Sequence, residues 1–412
     1  MTTATYRASA FLEAARRLEV SVVVGSDRDQ VLAAAKPAGH LTLDFLAPEA
    51  ATRAIVEFAR RYPIRAVVSA DDDGAVLAAM AAAALGLPHN SVDGVAAARN
   101  KVRMRQVLAA AGVPSPQFAR FSIDDDPEDV AGRVSFPCVV KPLFLSASRG
   151  VIRADDPLEF IAAFKRLVAI LRRPEVAAQG GALAQQVLVE SYIPGVEVAV
   201  EGLLSKGELR VLALFDKPDP LEGPFFEETI YVTPTRLPDS VQRSIVARTV
   251  EGVAALGLEH GPIHAELRVN EQGPWILEIA PRSIGGLCSR MLRFDAGISL
   301  EELILMHALG LEVDSLLRES RAAGVMMIPI PQAGILREAR GQEEAQRISG
   351  VEEIRLTIPV GHEVVPLPEG GRYLGFIFAR DETPERVEAA LREAHRRLTF
   401  IISPPCEASD AR

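Results

Sequence analysis

Two glutamates, Glu266 and Glu278, lie at equal distances on either side of Gln272. Polar and apolar residues alternate over 263–269 and nearly do so over 275–279, and the turn-rich stretch 270–274 separates the two runs. That pattern predicts a β-hairpin. An odd-length loop centred on Gln272 places the two carboxylates opposite each other on one face, with Ala265, Leu267, Leu277 and Ile279 on the other. Like charges that close repel unless a proton or cation lies between them, so the arrangement suits a hard, oxygen-liganded metal. Magnesium is commonly held by one or two carboxylates together with the phosphates of a substrate. The bland alternative is an exposed hairpin with two solvated glutamates, and the rest of the chain must decide.

The 45 basic residues include only six lysines, at positions 36, 101, 141, 165, 206 and 217. In an arginine-using chain, a retained lysine offers a compact ammonium of the kind used at phosphates, although six surface lysines also fit. Lys101 lies in a predicted helix over 95–112 with Asn100 and Arg103, ended by Gly112 and Pro114. Lys141 closes a predicted buried strand over 136–142, and a flexible stretch over 143–150 follows, with Ser146, Ser148, Arg149 and Gly150. A loop of hydroxyls and backbone N–H groups beside a strand-end lysine suits the covering of a polyphosphate. The competing reading is a buried lysine whose stem snorkels from the strand end. A further strand over 186–190 runs through Tyr192 and Ile193 to Glu197, which shares one face with Ala199 and Glu201. The strand over 208–215 ends at Lys217, and Glu227 and Glu228 follow Phe225 and Phe226.

The elements that must position these groups fall into blocks. Helices over 6–18, 29–35, 48–61 and 71–85 alternate with strands over 20–24, 40–44 and 66–69. Such alternation predicts an N-terminal doubly wound parallel-sheet domain. The run Asp71, Asp72, Asp73, Gly74 reads as a helix N-cap rather than as a catalytic cluster. Helices are expected over 157–172, 238–256 and 299–309, and loops over 174–184 and 282–290. From residue 322 onward, strands over 325–330, 334–337, 351–358 and 373–379 and a helix over 384–398 predict a small mixed α+β cap. A disordered tail is expected over 403–412.

With 412 residues, 48% of them hydrophobic, the chain has core enough for several domains. A net charge of -10 argues against nonspecific nucleic-acid binding. No apolar run reaches the roughly 18 residues a membrane span requires, and no signal peptide is read at the start. Cys138, Cys288 and Cys406 suggest neither a disulfide framework nor a zinc site. A cytoplasmic protein is expected, and no glycine-rich dinucleotide fingerprint is present.

In order and spacing together, these pieces resemble an ATP-grasp enzyme over most of the chain, most similar to carboxylate-amine ligases of the L-amino-acid ligase type, with biotin carboxylase a more distant relative. The resemblance implies an α/β and α+β multidomain architecture. Residues 1–95 would form the N-terminal domain, 96–187 and 188–321 the two halves of the nucleotide clamp, and 322–402 the cap. It implies that Lys101 and Lys141 bind ATP phosphates, with Ser146, Ser148 and Gly150 in the loop above them and Lys217 as a third contact. Adenine would meet the hinge over 190–193, at Glu190 and the backbone of Tyr192 and Ile193, and Glu197 would hold the ribose hydroxyls. Glu266 and Glu278 match the ligands of Mg2+, for which Mn2+ can substitute. Arg282, backed by Gly285 and Gly286, resembles a substrate loop in which arginine grips a carboxylate or an acyl phosphate. His264, on the face of Glu266, would order the metal shell or the amine, and Glu228 or Glu227 would receive a substrate ammonium.

The implied reaction joins a small carboxylate to an amine through an acyl phosphate, with release of ADP and phosphate. Arg282 and Lys141 would serve the chemistry. A homodimer is compatible with this reading. The chain departs from the resemblance in three places: Ala280 stands where the family carries a further asparagine ligand, the loop after Lys141 has fewer glycines, and the first strand of the N-terminal sheet is missing. The alternatives are a carboxylase or other acyl-phosphate ligase, or a nucleotide-binding module without ligase activity, which Ala280 favours.

Overall fold

The computed structural model describes residues 7–28, 39–313 and 315–404. The chain divides into two compact units, each assembled from three separate segments. One comprises residues 1–115, 199–214 and 238–319, the other 116–198, 215–237 and 320–412. The expected helix over 29–35, the missing first strand and most of the expected tail lie outside the described residues.

In the first unit, strands Val24–Ser26 and His40–Thr42 pair in parallel, the first of them lying C-terminal to the expected 20–24, since residues 20–23 form no ladder. Helices Pro48–Ala59 and Ala75–Ala84 pack Ala51, Ile55, Leu77 and Ala81 into a small core with Leu43. The segment over 66–69, expected as a strand, forms no ladder and is assigned no regular structure. A strand is defined by its partner, and the apolar run Ala66–Val67–Val68 supplies only half of that requirement.

The single helix expected over 95–112 is two helices, Val92–Ala98 and Lys101–Ala110. Asn100 causes the break: its Oδ1 accepts from the N–H groups of Val102 at 3.1 Å and Arg103 at 3.2 Å, capping the second helix. Lys101 therefore occupies the first helical position, where the helix dipole disfavours a cation. Strands Gly273–Ala280, His260–Asn270, Val196–Ser205 and Glu208–Asp216 lie in that order in one sheet. Helix Asp239–Ala255 packs on its hairpin end, where a Cβ on Gly252 would displace the Cδ1 methyls of Ile276 and Ile279.

A histidine pair closes this unit at the start of strand His260–Asn270. The rings of His260 and His307 lie 4.5 Å apart, and His307 Nε2 is 2.8 Å from Ser205 Oγ. Burial, reinforced by the neighbouring His260, lowers the His307 pKa to about 4 from 6.5. Burial and the charge of His89 also lower that of His260. A folded-state pKa below the unfolded value means that the unfolded chain binds more protons across that window. Stability is complete above pH 6.5 and falls as the pH drops toward 4. Because His307 is partly exposed, we expect about 1–2 kcal/mol of loss rather than the full amount at about 1.36 kcal/mol per unit. Urea denaturation of His307→Gln across pH 4–7 should give a flatter profile than the parent, and parallel profiles would exclude this assignment.

The second unit contains a four-stranded antiparallel sheet in the order Phe118–Ser122, Gln186–Ser191, Cys138–Pro142, Ile152–Ala154. Helix Pro157–Leu171 covers it with Phe160, Phe164, Leu167 and Leu171, which recur on one face at helical spacing and are all buried. Strand Phe118–Ser122 and helix Pro127–Ala131 were not anticipated. The expected loop over 174–184 is instead helix Pro174–Gly180 followed by a 3-10 turn, Gly181–Gln185. Pro174 and Glu175 at its start are favourable first-turn residues that the glycine-rich end obscured.

Further along, Ile230–Thr233, Ala322–Ile328, Gly375–Asp381 and Val351–Leu356 form antiparallel pairs. Helix Pro384–Arg397 packs Val387, Leu391 and Ala394 against them. Strand Thr399–Ser403, of which only the last residue falls in the expected tail and the rest in no expected element, pairs with Gly334–Arg340, which also pairs with Glu363–Val364. The C-terminal region is thus mixed α+β, as expected. Among the described residues no helix is long and apolar enough to cross a membrane.

Candidate active-site residues

The hairpin of the first unit brings Glu266 and Glu278 into direct cross-strand register. The route differs from the one expected. Asn270 pairs with Gly273 across a two-residue turn, and the register then shifts by one between Glu266 and Leu267, as a bulge at Leu277. A bulge inserts one unpaired residue and disrupts the ladder locally. The Leu277 carbonyl accepts from Nη2 of Arg105 at 2.6 Å, and Arg105 is a fully buried residue of helix Lys101–Ala110. That helix also carries Lys101, whose Nζ lies 3.4 Å from Glu278 Oε2. The carboxylate opposite its N-terminus thus offsets the unfavourable dipole at Lys101.

His264 sits opposite Ala280 in the same register. Its Nδ1 is 3.1 Å from Glu201 Oε2 and its Nε2 is 3.5 Å from Glu266 Oε1. Burial alone would lower its pKa, but hydrogen bonds and charge from Glu201 and Glu266 outweigh it and raise the value to about 9. Glu201 is completely buried, and that burial pushes its carboxyl upward. Two carboxylates at directly paired positions of one hairpin supply hard oxygen ligands of the kind a divalent cation takes.

Arg282 is held rather than exposed. Its Nη2 lies 2.8 Å from Asp72 Oδ2, and its Nη1 donates to the Ser283 carbonyl at 3.0 Å. Burial works against its charge, but Asp72 overcomes this and raises its pKa further. Burial likewise pushes Asp72 up, while Arg282 and Arg99, the latter 3.1 Å from Oδ1, hold it well below the usual carboxylate range. The acidic run does not cap the helix as expected: the N-cap is Gly74, which carries no side-chain cap bond, while Asp71 Oδ1 accepts from Gly74 N–H at 3.1 Å in the preceding turn and Asp72 faces the arginines, one of them 210 residues away in sequence. Behind Arg282, Gly286 takes a positive φ of 60° and Gly285 has open space at its Cβ position.

In the second unit, Lys141 Nζ pairs with Glu190 Oε2 at 2.5 Å, both side chains being almost fully buried. The Tyr192 N–H of the expected adenine hinge donates to the Pro137 carbonyl at 3.1 Å, so this backbone donor is taken by the protein and does not point to a purine. The Tyr192 ring lies under the Arg153 guanidinium at 4.0 Å and stacks near Phe226. Ile193 is buried. Lys217 Nζ pairs with Glu197 at 2.7 Å and also with Glu228, which in turn accepts from the Tyr231 hydroxyl at 2.8 Å. Glu197, Lys217 and Glu228 therefore form one partly buried cluster around the buried ammonium, and Tyr231 is a member that sequence spacing did not reveal. Burial raises the pKa of Glu227.

The stretch with Ser146, Ser148 and Gly150 is not a free flap. Ala147 and Ser148 have φ of 55° and 53°, which costs non-glycine residues energy. Gly150 donates its N–H to the Pro368 carbonyl at 2.9 Å, and Arg149 Nε donates to the Glu369 carbonyl at 2.9 Å. Gly150 needs glycine twice over, since φ is 73° and a Cβ would lie 2.9 Å from Leu167.

Comparison with known proteins identifies the domains that carry these residues. Residues 134–291 match the model of the ATP-grasp domain, 12–89 that of the ATP-grasp N-terminal domain, and 326–403 that of L-amino acid ligase C-terminal domain 2. The chain belongs to the ATP-grasp superfamily. An L-amino acid ligase from Bacillus licheniformis superposes on this ATP-grasp chain with a TM-score of 0.81, 28% identity and coverage of 96% of each chain. The alanine–anticapsin ligase of Bacillus amyloliquefaciens is 28% identical over 54% of this chain and 49% of its own. The D-alanine–D-alanine ligase of Aromatoleum aromaticum is 30% identical over 45% of this chain and 56% of its own. The chain spans between about half and two thirds of the length of the first curated relatives. A Hydrogenobacter thermophilus biotin carboxylase domain, at 15% identity and a TM-score of 0.65, shares the fold.

Proposed function

We propose that this chain is an ADP-forming ligase that joins a small carboxylate, an amino acid among the candidates, to an amine. The reading is carried by the cross-strand register of Glu266 with Glu278, one of them within 3.4 Å of the ammonium of Lys101. Its five-part organisation would follow the boundaries 1–95, 96–187, 188–321, 322–402 and 403–412. The names of the similar ligases support it, as does their shared fold.

In the first step a carboxylate oxygen attacks the γ-phosphorus of ATP, the bond to the β-γ bridging oxygen breaks, and ADP leaves. In the second the amine lone pair attacks the acyl carbon, the bond to the phosphate oxygen breaks, phosphate leaves, and the nitrogen loses a proton. Lys101 and Lys141 steady the phosphates, and Lys217 holds Glu197 toward the ribose and Glu228 toward a substrate ammonium. Ser146, Ser148 and Gly150 cover the phosphates and keep water from the acyl phosphate. The hinge at Glu190, Tyr192 and Ile193 receives adenine. Arg282, aligned by Asp72 and backed by Gly285 and Gly286, meets the acyl phosphate, and His264 orders the carboxylate of Glu266. Mg2+ or Mn2+ held by Glu266 and Glu278 would supply charge neutralisation at the transferring phosphoryl group. We place the protein in the cytoplasm, with ATP and small molecules as its partners.

Amino acids and small acids supplied in pairs with Mg·ATP test the proposal. ADP and phosphate should appear in equal amounts for particular pairs. AMP in place of ADP, or phosphate release that ignores the added pair, would exclude it.

A further inference from the structure

Glu201 has no exposed surface, and strand Val196–Ser205 delivers it between two other pieces of the first unit. Its Oε2 lies 3.1 Å from His264 Nδ1, and its two oxygens lie 3.2 and 3.0 Å from the backbone N–H of Ile284. His264 carries the contact onward, since its Nε2 is 3.5 Å from Glu266 Oε1. Ile284 stands two residues after Arg282, and the intervening Ser283 carbonyl is gripped from the other side by Arg7 Nη1 at 3.1 Å.

One carboxylate thus anchors both the face bearing Glu266 and the turn bearing Arg282. Burying it costs several kcal/mol unless its acceptors are filled. A glutamine amide with its oxygen at the Oε2 position would still accept from His264 Nδ1 and the Ile284 N–H, but its NH2 would replace the second acceptor 3.2 Å from that N–H, and the negative charge facing the imidazole would be gone.

We propose that Glu201 is a positioning residue for the nucleotide-bound metal, aiming Glu266 through His264 and seating the Arg282 turn at the same time. This rests on the reading of Glu266 as a metal ligand. A partner behind a ligating group typically contributes 10- to 100-fold to metal affinity, although it touches neither metal nor substrate.

The experiment measures Mn2+ binding by electron paramagnetic resonance, using the full chain with the nonhydrolysable analogue AMP-PNP. Glu201→Gln should weaken Mn2+ binding by about 10- to 100-fold and broaden the spectrum of the bound ion. His264→Gln, which cuts the link to Glu266 but leaves Glu201 on Ile284, should reproduce the loss and serves as the test if Glu201→Gln does not fold. Thr249→Val removes a buried hydroxyl bonded to the Ile245 carbonyl elsewhere in this unit, so it should lower thermal stability without altering Mn2+ affinity or spectrum. If the parent binds Mn2+ with AMP-PNP and folded Glu201→Gln or His264→Gln binds it equally well, the positioning role is wrong while the ligase reading stands. A parent that binds no Mn2+ with the analogue removes the ligase reading and this inference together.

Discussion

Replacing Lys141 with methionine is expected to lower ATP-dependent phosphate release by about a hundred- to a thousandfold, the usual cost of deleting one preorganised group that stabilises developing charge. The structure adds a complication that the sequence did not show. Lys141 is also the 2.5 Å partner of buried Glu190, so the single replacement strands a carboxylate away from water. Breaking a buried pair in that way costs about 3–5 kcal/mol, enough to mimic a catalytic defect by unfolding part of the sample. The double replacement Lys141→Met with Glu190→Gln separates the two effects. It removes the stranded charge, so urea denaturation should recover most of the lost stability while turnover stays low. Recovery of turnover along with stability would mean that Lys141 serves the fold alone.

Glu278→Gln should act in the opposite sense on the empty protein. The amide still accepts from Lys101 and no longer repels Glu266 across the hairpin, so stability without ligand should stay within about 1 kcal/mol of the parent. The effect should appear on adding Mg·AMP-PNP. At a hundredfold excess over its dissociation constant a ligand stabilises the parent by about 2.7 kcal/mol, and the variant should gain little of that. Phosphate release should fall by about 10²–10³-fold, as for loss of a comparable electrostatic group. A full ligand-induced shift in melting temperature for Glu278→Gln would remove this glutamate from the metal site.

Strong local patterns were the legible part of the chain. The alternation around Gln272 predicted the carboxylate register, although a shorter turn and a bulge at Leu277 produce it. Period alone cannot reveal a bulge; here its carbonyl is satisfied by Arg105, which is remote in sequence. Asn100 was visible as a polar residue inside a helical run, yet apolar spacing on both sides hid its capping role. The short strand Phe118–Ser122 was missed because its pairing with Gln186–Ser191 is a long-range fact. The pairing of Asp72 with Arg282, the anchoring by Glu201 and the contact between Tyr231 and Glu228 depend on tertiary placement in the same way.

The division of each unit into three chain segments bears on how the protein is made. The first 115 residues cannot complete their unit until residue 319 has left the ribosome, because their neighbouring strands are translated only after a long excursion through the other unit. Translation at about 5–20 residues per second leaves that opening segment waiting for roughly ten seconds or more. The segment's own small core lies within those 115 residues, whereas its contacts with residues 199–214 and 238–319 must wait, and the order of completion is written into the threading of the chain.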